Sequence, residues 1–152
     1  MNKYVIPKAT CRIVLNEGTR SYIPAMSGPD SAIRLMQQEM AELDREMMAV
    51  VNLNSQLEPI NWHIVSIGGM IGTTFFMQNI FKTAILSNAT KIMLFHNHPS
   101  GNSAPSDADV KTTKTIKKAG KLLGIPLVDH IIIGAYGDYY SFAADARGER
   151  NL

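Results

Sequence analysis

The chain has 152 residues, a net charge of +2, 45% hydrophobic residues and 18% charged ones. That length buries a core without disulfides and leaves little room for two domains, while the balance excludes a disordered, charge-rich chain. The single cysteine, Cys11, excludes an internal disulfide and a multi-cysteine zinc finger, and it suits a reducing cytoplasm.

Pro7, Thr10 and Arg12 interrupt the start of the chain, so no signal-peptide apolar core forms there. Residues 10–15 and about 20–24 read as short strands around the turn at Asn16, Glu17 and Gly18. Pro29 suits a first helical turn, and Ile33, Met36, Met40 and Leu43 recur at helical spacing, which predicts an amphipathic helix over residues 29–43. Its methionines read as core filler. Met47 to Leu53 is an apolar strand, and Ile60 to Ile67 reads as its hairpin partner across Asn54, Ser55 and Gln56.

No charged residue lies between Glu58 and Lys82, which raises the question of a membrane span. Asn61, His63, Ser66, three glycines, Gln78 and Asn79 dilute that stretch, and its period changes from strand-like to helix-like. It reads as a buried strand and a buried helix, the latter at about residues 76–88. Lys91 to Phe95 then forms a short strand that runs into His96. A helix over residues 107–123 ends at Gly124, and Pro126 to Gly134 and Tyr139 to Phe142 supply the last strands. Lys111, Lys114, Lys117, Lys118 and Lys121 are spaced as the solvated face of that helix rather than as a phosphate-binding stripe. The alternation predicts an α/β fold with a mixed β-sheet flanked by helices.

The chemistry concentrates in His96-Asn97-His98-Pro99-Ser100-Gly101 and Ser106-Asp107-Ala108-Asp109. Two histidines at i and i+2 just past a strand can aim at one metal where Pro99 and Gly101 let the chain turn. Asp109, in the first turn of the next helix, can fold back to join them. Three such ligands leave a fourth position for water on tetrahedral zinc; iron, manganese or cobalt suit the same donors. Alone, His-x-His often binds nothing, Ser106 with Asp109 is also a helix capping box, and Asp107 and Asp109 both favour a helix N-terminus.

His96, His98, Ser106 and Asp109 match the His-x-His, seven residues, Ser-x-x-Asp pattern, and the chain resembles the JAMM (MPN+) metallopeptidases. The string His96 to Gly101, Ala119 to Ile125 and Asp129-His130-Ile131-Ile132-Ile133-Gly134 resemble the RadC-like branch, over roughly residues 28–143. The resemblance implies a JAB/MPN, cytidine-deaminase-like architecture and a single domain spanning 1–152. It implies one Zn2+ per chain on His96, His98 and Asp109, a cytoplasmic location and a zinc-dependent hydrolase of peptide or isopeptide bonds. It also implies that Glu46, in Leu43-Asp44-Arg45-Glu46, is the general base toward a metal-activated water, and that Ser106 donates to the oxyanion. For Glu46 the competing reading is a surface ion pair with Arg45 or another basic residue.

The stand-alone form lacks the N-terminal helix-hairpin-helix-like region of longer relatives. The stretch Phe76 to Asn79 and the segment Ser66 to Gly69 also depart from the family pattern, which bears on substrate contacts. The alternative is a DNA-associated RadC-type factor without peptidase turnover, which the absence of interleaved aromatic and basic residues disfavours. The substrate, an unspecified peptide or protein, and the oligomeric state are not legible. His63 and His130 are left over: His63 reads as packed or exposed in a strand, and His130, beside Asp129, reads as a packed residue ahead of a partner to the ligands.

Overall fold

A computed structural model of the chain describes residues 10–11, 13–14, 29–68 and 77–146. In chain order the elements are α1 (Pro29–Met40), β1 (Met47–Leu53), β2 (Pro59–Ile67), α2 (Met77–Leu86), β3 (Lys91–Asn97), α3 (Asp107–Leu123), β4 (Leu127–Ile133), β5 (Tyr139–Ser141) and α4 (Phe142–Ala146). The strands form one sheet in the order β2-β1-β3-β4-β5. Strands β3 and β4 are parallel, joined by the α3 crossover, and every other neighbouring pair is antiparallel. This is a mixed α/β sheet flanked by helices.

Every residue of β1 is buried, because both sheet faces are covered. On one face Met47, Ala49, Val51 and Leu53 join Met93, Phe95, Ile131 and Ile133 against Ala32, Leu35, Met36 and Met40 of α1. On the other face Met48, Val50, Ile92 and Leu94 pack with Ile80, Phe81 and Ala84 of α2 and Ile116 of α3. Strand alternation therefore puts His96, two residues beyond Leu94, on the α3 side of the sheet. The connection from α3 to β4 is close enough that a Cβ on Gly120 would lie 2.6 Å from the Ile125 carbonyl oxygen.

Helix α1 stops at Met40, three residues before the apolar periodicity ends. The Leu43 N–H donates to the Met40 carbonyl in a turn, and from that turn Leu43 still packs against the α1 face of the core. The hairpin between β1 and β2 closes on Asn54, whose Oδ1 accepts from the N–H groups of Gln56 and Glu58. Helix α3 begins at the Ser106 cap and ends at Gly124, whose φ of 71° only glycine adopts freely. Its five lysines are all exposed.

Phe142, expected to end a strand, instead opens α4. Asp129 Oδ1 accepts from the Ala143 N–H and Ser141 Oγ from the Ala144 N–H, which caps a helix there. The uncharged stretch between Glu58 and Lys82 holds β2 and the start of the ten-residue α2, and no described helix is long and apolar enough to cross a membrane. Thr10, Cys11, Ile13 and Val14 are not in a strand, and the rest of the expected N-terminal hairpin lies outside the described residues.

Candidate metal centre

Strand β3 runs through His96 and Asn97 instead of stopping at Phe95. His96 pairs with Met48 of β1 and Ile132 of β4, so its backbone is held on both sides. Only His98 lies past the strand. The chain then turns at once, with the Gly101 N–H donating to the His98 carbonyl at 2.9 Å and Gly101 at a φ of 81°. The two imidazoles meet with their Nε2 atoms 3.0 Å apart.

Asp109, in the first turn of α3, completes the cluster. Its Oδ1 lies 3.2 Å from His96 Nε2 and its Oδ2 3.5 Å from His98 Nε2. His96 and Asp109 are buried and His98 is partly exposed, and together these three can hold a metal ion. Donors bound at about 2.0–2.1 Å to a tetrahedral ion sit about 3.3 Å from one another, a spacing approached by the 3.0 Å between the two Nε2 atoms and the 3.2 Å from His96 Nε2 to Asp109 Oδ1. The donor chemistry agrees: His98 Nδ1 lies 2.8 Å from the Asn102 carbonyl, which can only accept, so the proton is on Nδ1 and Nε2 presents a lone pair to the cluster.

Capping and clustering are compatible in Asp109 because its oxygens divide the work. Oδ2 accepts from the Ser106 N–H at 2.8 Å and from Ser106 Oγ at 2.6 Å, and the Asp109 N–H donates back to Oγ at 3.2 Å. Oδ1 is left facing His96. Burial opposes ionisation of Asp109, but hydrogen bonds from His96 and His98 in their protonated forms, and from Ser106, outweigh it and hold the carboxyl far below the usual carboxylate range. The hydrogen bond that the protonated His98 donates to Asp109 raises the His98 pKa against burial, helped by the Asn102 carbonyl and the charges of Asp109 and Glu46.

Glu46 immediately precedes β1 and is half-buried. Its charge acts on the His98 imidazole, and the antiparallel register of β1 with β3, whose last pair is Met48 with His96, would set Glu46 opposite His98 if it were continued by two residues. Asn97, between the two histidines, grips the main chain on either side of Glu46. Its Oδ1 accepts from the Met47 N–H at 2.8 Å and its Nδ2 donates to the Arg45 carbonyl at 3.0 Å. The Arg45 guanidinium is engaged with Asp44 at 2.7 Å.

A family model described as RadC-like JAB domain matches residues 26–148. The chain belongs to the RadC-like JAB domain family. It is 40% identical over 110 residues to a UPF0758 protein of Caldanaerobacter subterraneus, covering 72% of this chain and 47% of that one. It is 37% identical to a UPF0758 protein of Thermotoga maritima, covering 74% of this chain and 51% of the relative. For one of Alkaliphilus metalliredigens the identity is 38%, over 86% of this chain and 55% of the relative. The chain thus spans about half the length of these relatives.

Within this RadC-like domain, His63 pairs with Val50 in the edge strand β2 and is not part of the described metal cluster. Thr113 is the residue that sequence reasoning missed, and His130, read there as packed ahead of a partner to the ligands, is in contact with one of them. His130 Nε2 lies 2.9 Å from His96 Nδ1, and Thr113 Oγ1 lies 2.6 Å from His130 Nδ1. Burial pushes the His130 pKa well down, with the charge of His96 adding to it. Strand parity alone could have put His130 on the face of His96, but only the parallel register of β3 with β4 brings the rings together.

Proposed function

We propose that this domain is a zinc-dependent hydrolase of amide bonds, peptide or isopeptide, with one zinc ion on His96, His98 and Asp109 and with Glu46 as general base. The observation that carries the reading is the three-donor cluster of His96, His98 and Asp109, and Glu46, one residue before the strand that pairs with β3, acts by its charge on the His98 imidazole. Two imidazoles and one carboxylate favour zinc over calcium or magnesium. When bound, the ion supplies Lewis acidity, bringing the pKa of a water to about 7 and polarising a carbonyl.

The chain's own groups supply the rest. Glu46 accepts the proton of the attacking water and returns it to the leaving amine. Asn97 holds the backbone of Glu46 in register with His98, so the base and the ligand are tied to one strand pair. Ser106 donates to the oxyanion as the carbonyl becomes tetrahedral, after its hydroxyl turns away from Asp109 Oδ2. The test is a panel of peptide and isopeptide substrates with chelator and with zinc restored. Cleavage abolished by the one and recovered with the other supports the reading, and cleavage indifferent to both overturns it.

Ser106→Ala is expected to retain zinc, to lose about 100- to 1,000-fold in turnover and to lose roughly 0.5 to 2 kcal/mol of stability with the cap. Elemental analysis, turnover and thermal melts check the three parts. A variant that melts lower yet turns over normally makes Ser106 a cap only.

The raised His98 pKa sets a pH dependence for the metal-free protein. A raised folded value stabilises fully below the unfolded value, about 6.5, and that contribution is lost as pH rises through the folded value. The melting temperature in chelator is therefore expected to fall as pH rises from about 6.5 through the folded His98 pKa, more steeply than for His98→Ala. Equal slopes for the two proteins would contradict it. Zinc must displace the same proton, so its apparent affinity is expected to weaken by up to about tenfold per pH unit below the His98 pKa.

A further inference from the structure

We propose that Thr113 and His130 are positioning residues that set the tautomer of His96, and so present a bare Nε2 to the metal from two residues away. The inference rests on the metal site proposed above and concerns residues outside it. A histidine pair such as His96 and His130 leaves the location of the shared proton open, because either ring nitrogen can donate. The direction is decided one step further out.

Thr113 has a single hydroxyl proton. Its Oγ1 donates that proton to the Asp109 main-chain carbonyl at 2.7 Å, four residues back in α3, where only an acceptor is available. The hydroxyl can then only accept from the ring nitrogen 2.6 Å away, which puts a proton on His130 Nδ1. In the neutral ring Nε2 is left as an acceptor, and it lies 2.9 Å from His96 Nδ1, which becomes the donor. With its proton on Nδ1, His96 turns a lone pair on Nε2 toward His98 and Asp109. The order of donation is Thr113 to carbonyl, His130 to Thr113, His96 to His130.

The chain is isolated from water. His130 is 0% exposed, His96 1% and Thr113 3%, so no solvent molecule offers a substitute partner if one link is removed. The ring of Phe142 stacks on His130 at 5.0 Å between centroids and 8° between planes, which holds the imidazole in the orientation that both hydrogen bonds need. The same Asp109 provides a metal-facing carboxylate through its side chain and the anchor for Thr113 through its carbonyl. The start of α3 thereby sets one ligand directly and the other histidine's proton indirectly.

The decisive pair is Thr113→Val and Thr113→Ser, which differ in the hydroxyl that sets the direction. Valine keeps the shape but cannot accept from His130 Nδ1, so the proton on His130 is free to move to Nε2 and to oppose a proton on His96 Nδ1. Zinc affinity, measured by competition with a chromogenic chelator, is expected to weaken about 10- to 100-fold in Thr113→Val and to return in Thr113→Ser. Nitrogen-15 imidazole spectra of the metal-free protein are expected to give His96 a protonated Nδ1 in the wild type and in the serine variant. In the valine variant some of that proton should appear on Nε2, a change that a merely structural loss would not produce.

Should Thr113→Val fail to fold, His130→Gln and His130→Leu carry the same comparison, since the glutamine carbonyl can accept from His96 and leucine cannot. Wild-type zinc affinity in Thr113→Val, or a His96 protonated on Nε2 in the wild type, overturns this inference and leaves the metal site standing. A wild-type protein that takes up no zinc overturns both.

Discussion

Glu46→Gln is expected to keep both the fold and the bound zinc while lowering hydrolysis about 100- to 10,000-fold, the range that general acid-base catalysis supplies. The amide preserves the volume and one acceptor oxygen of the carboxylate but cannot take a proton. Glu46 is no member of the described metal cluster, so its charge can be removed without removing a donor. Its backbone is fixed by Asn97 and by the Gly68 N–H, which donates to the Glu46 carbonyl at 2.7 Å, and none of these contacts involves the side chain. Metal content and a thermal melt of the variant separate loss of chemistry from loss of structure. A Gln variant that hydrolyses at the wild-type rate would remove Glu46 from the mechanism.

The parts of the fold legible in the sequence are those set by burial on both sides or by local capping chemistry. Strand β1 and helix α3 have the expected bounds because Met47 to Leu53 is apolar except for Asn52 and because Ser106 and Gly124 are chemically suited to begin and end a helix. Where tertiary contacts decide, the reading slipped. Leu43 continues the spacing of α1 from outside the helix, and Phe142 has strand-like character but follows a capping serine tied to Asp129.

The candidate site divides the same way. His96, His98, Ser106 and Asp109 are close in sequence and carry the family pattern, and the demand that the strand after Glu46 pair with the strand before His96 is met by β1 and β3. Extension of β3 through Asn97 was not legible, because His and Asn are polar and carry no strand signal while their backbones are paired on both sides. Thr113 was invisible as a partner, and His130 was ranked as packed ahead of that role, for a different reason. Their roles depend on a parallel register and a helix crossing that no local spacing encodes.

Replacing both His96 and His98 by Ala is expected to abolish stoichiometric zinc binding, the largest effect on the metal that any pair of substitutions here should produce. Each histidine contributes an Nε2 to the triangle, and Asp109 alone would leave one carboxylate, too few donors for a zinc site. The loss should exceed that of Thr113→Val, which misdirects one donor without deleting it. The buried volume vacated at His96 will lower stability as well, so the variant is compared with the wild type after both are shown to be folded. The most direct measurement is elemental analysis of the wild type and the double variant, purified in parallel and dialysed against zinc-free buffer. The account predicts about one zinc per wild-type chain and almost none in the variant; a wild type without metal, or a variant that keeps its full complement, would contradict it.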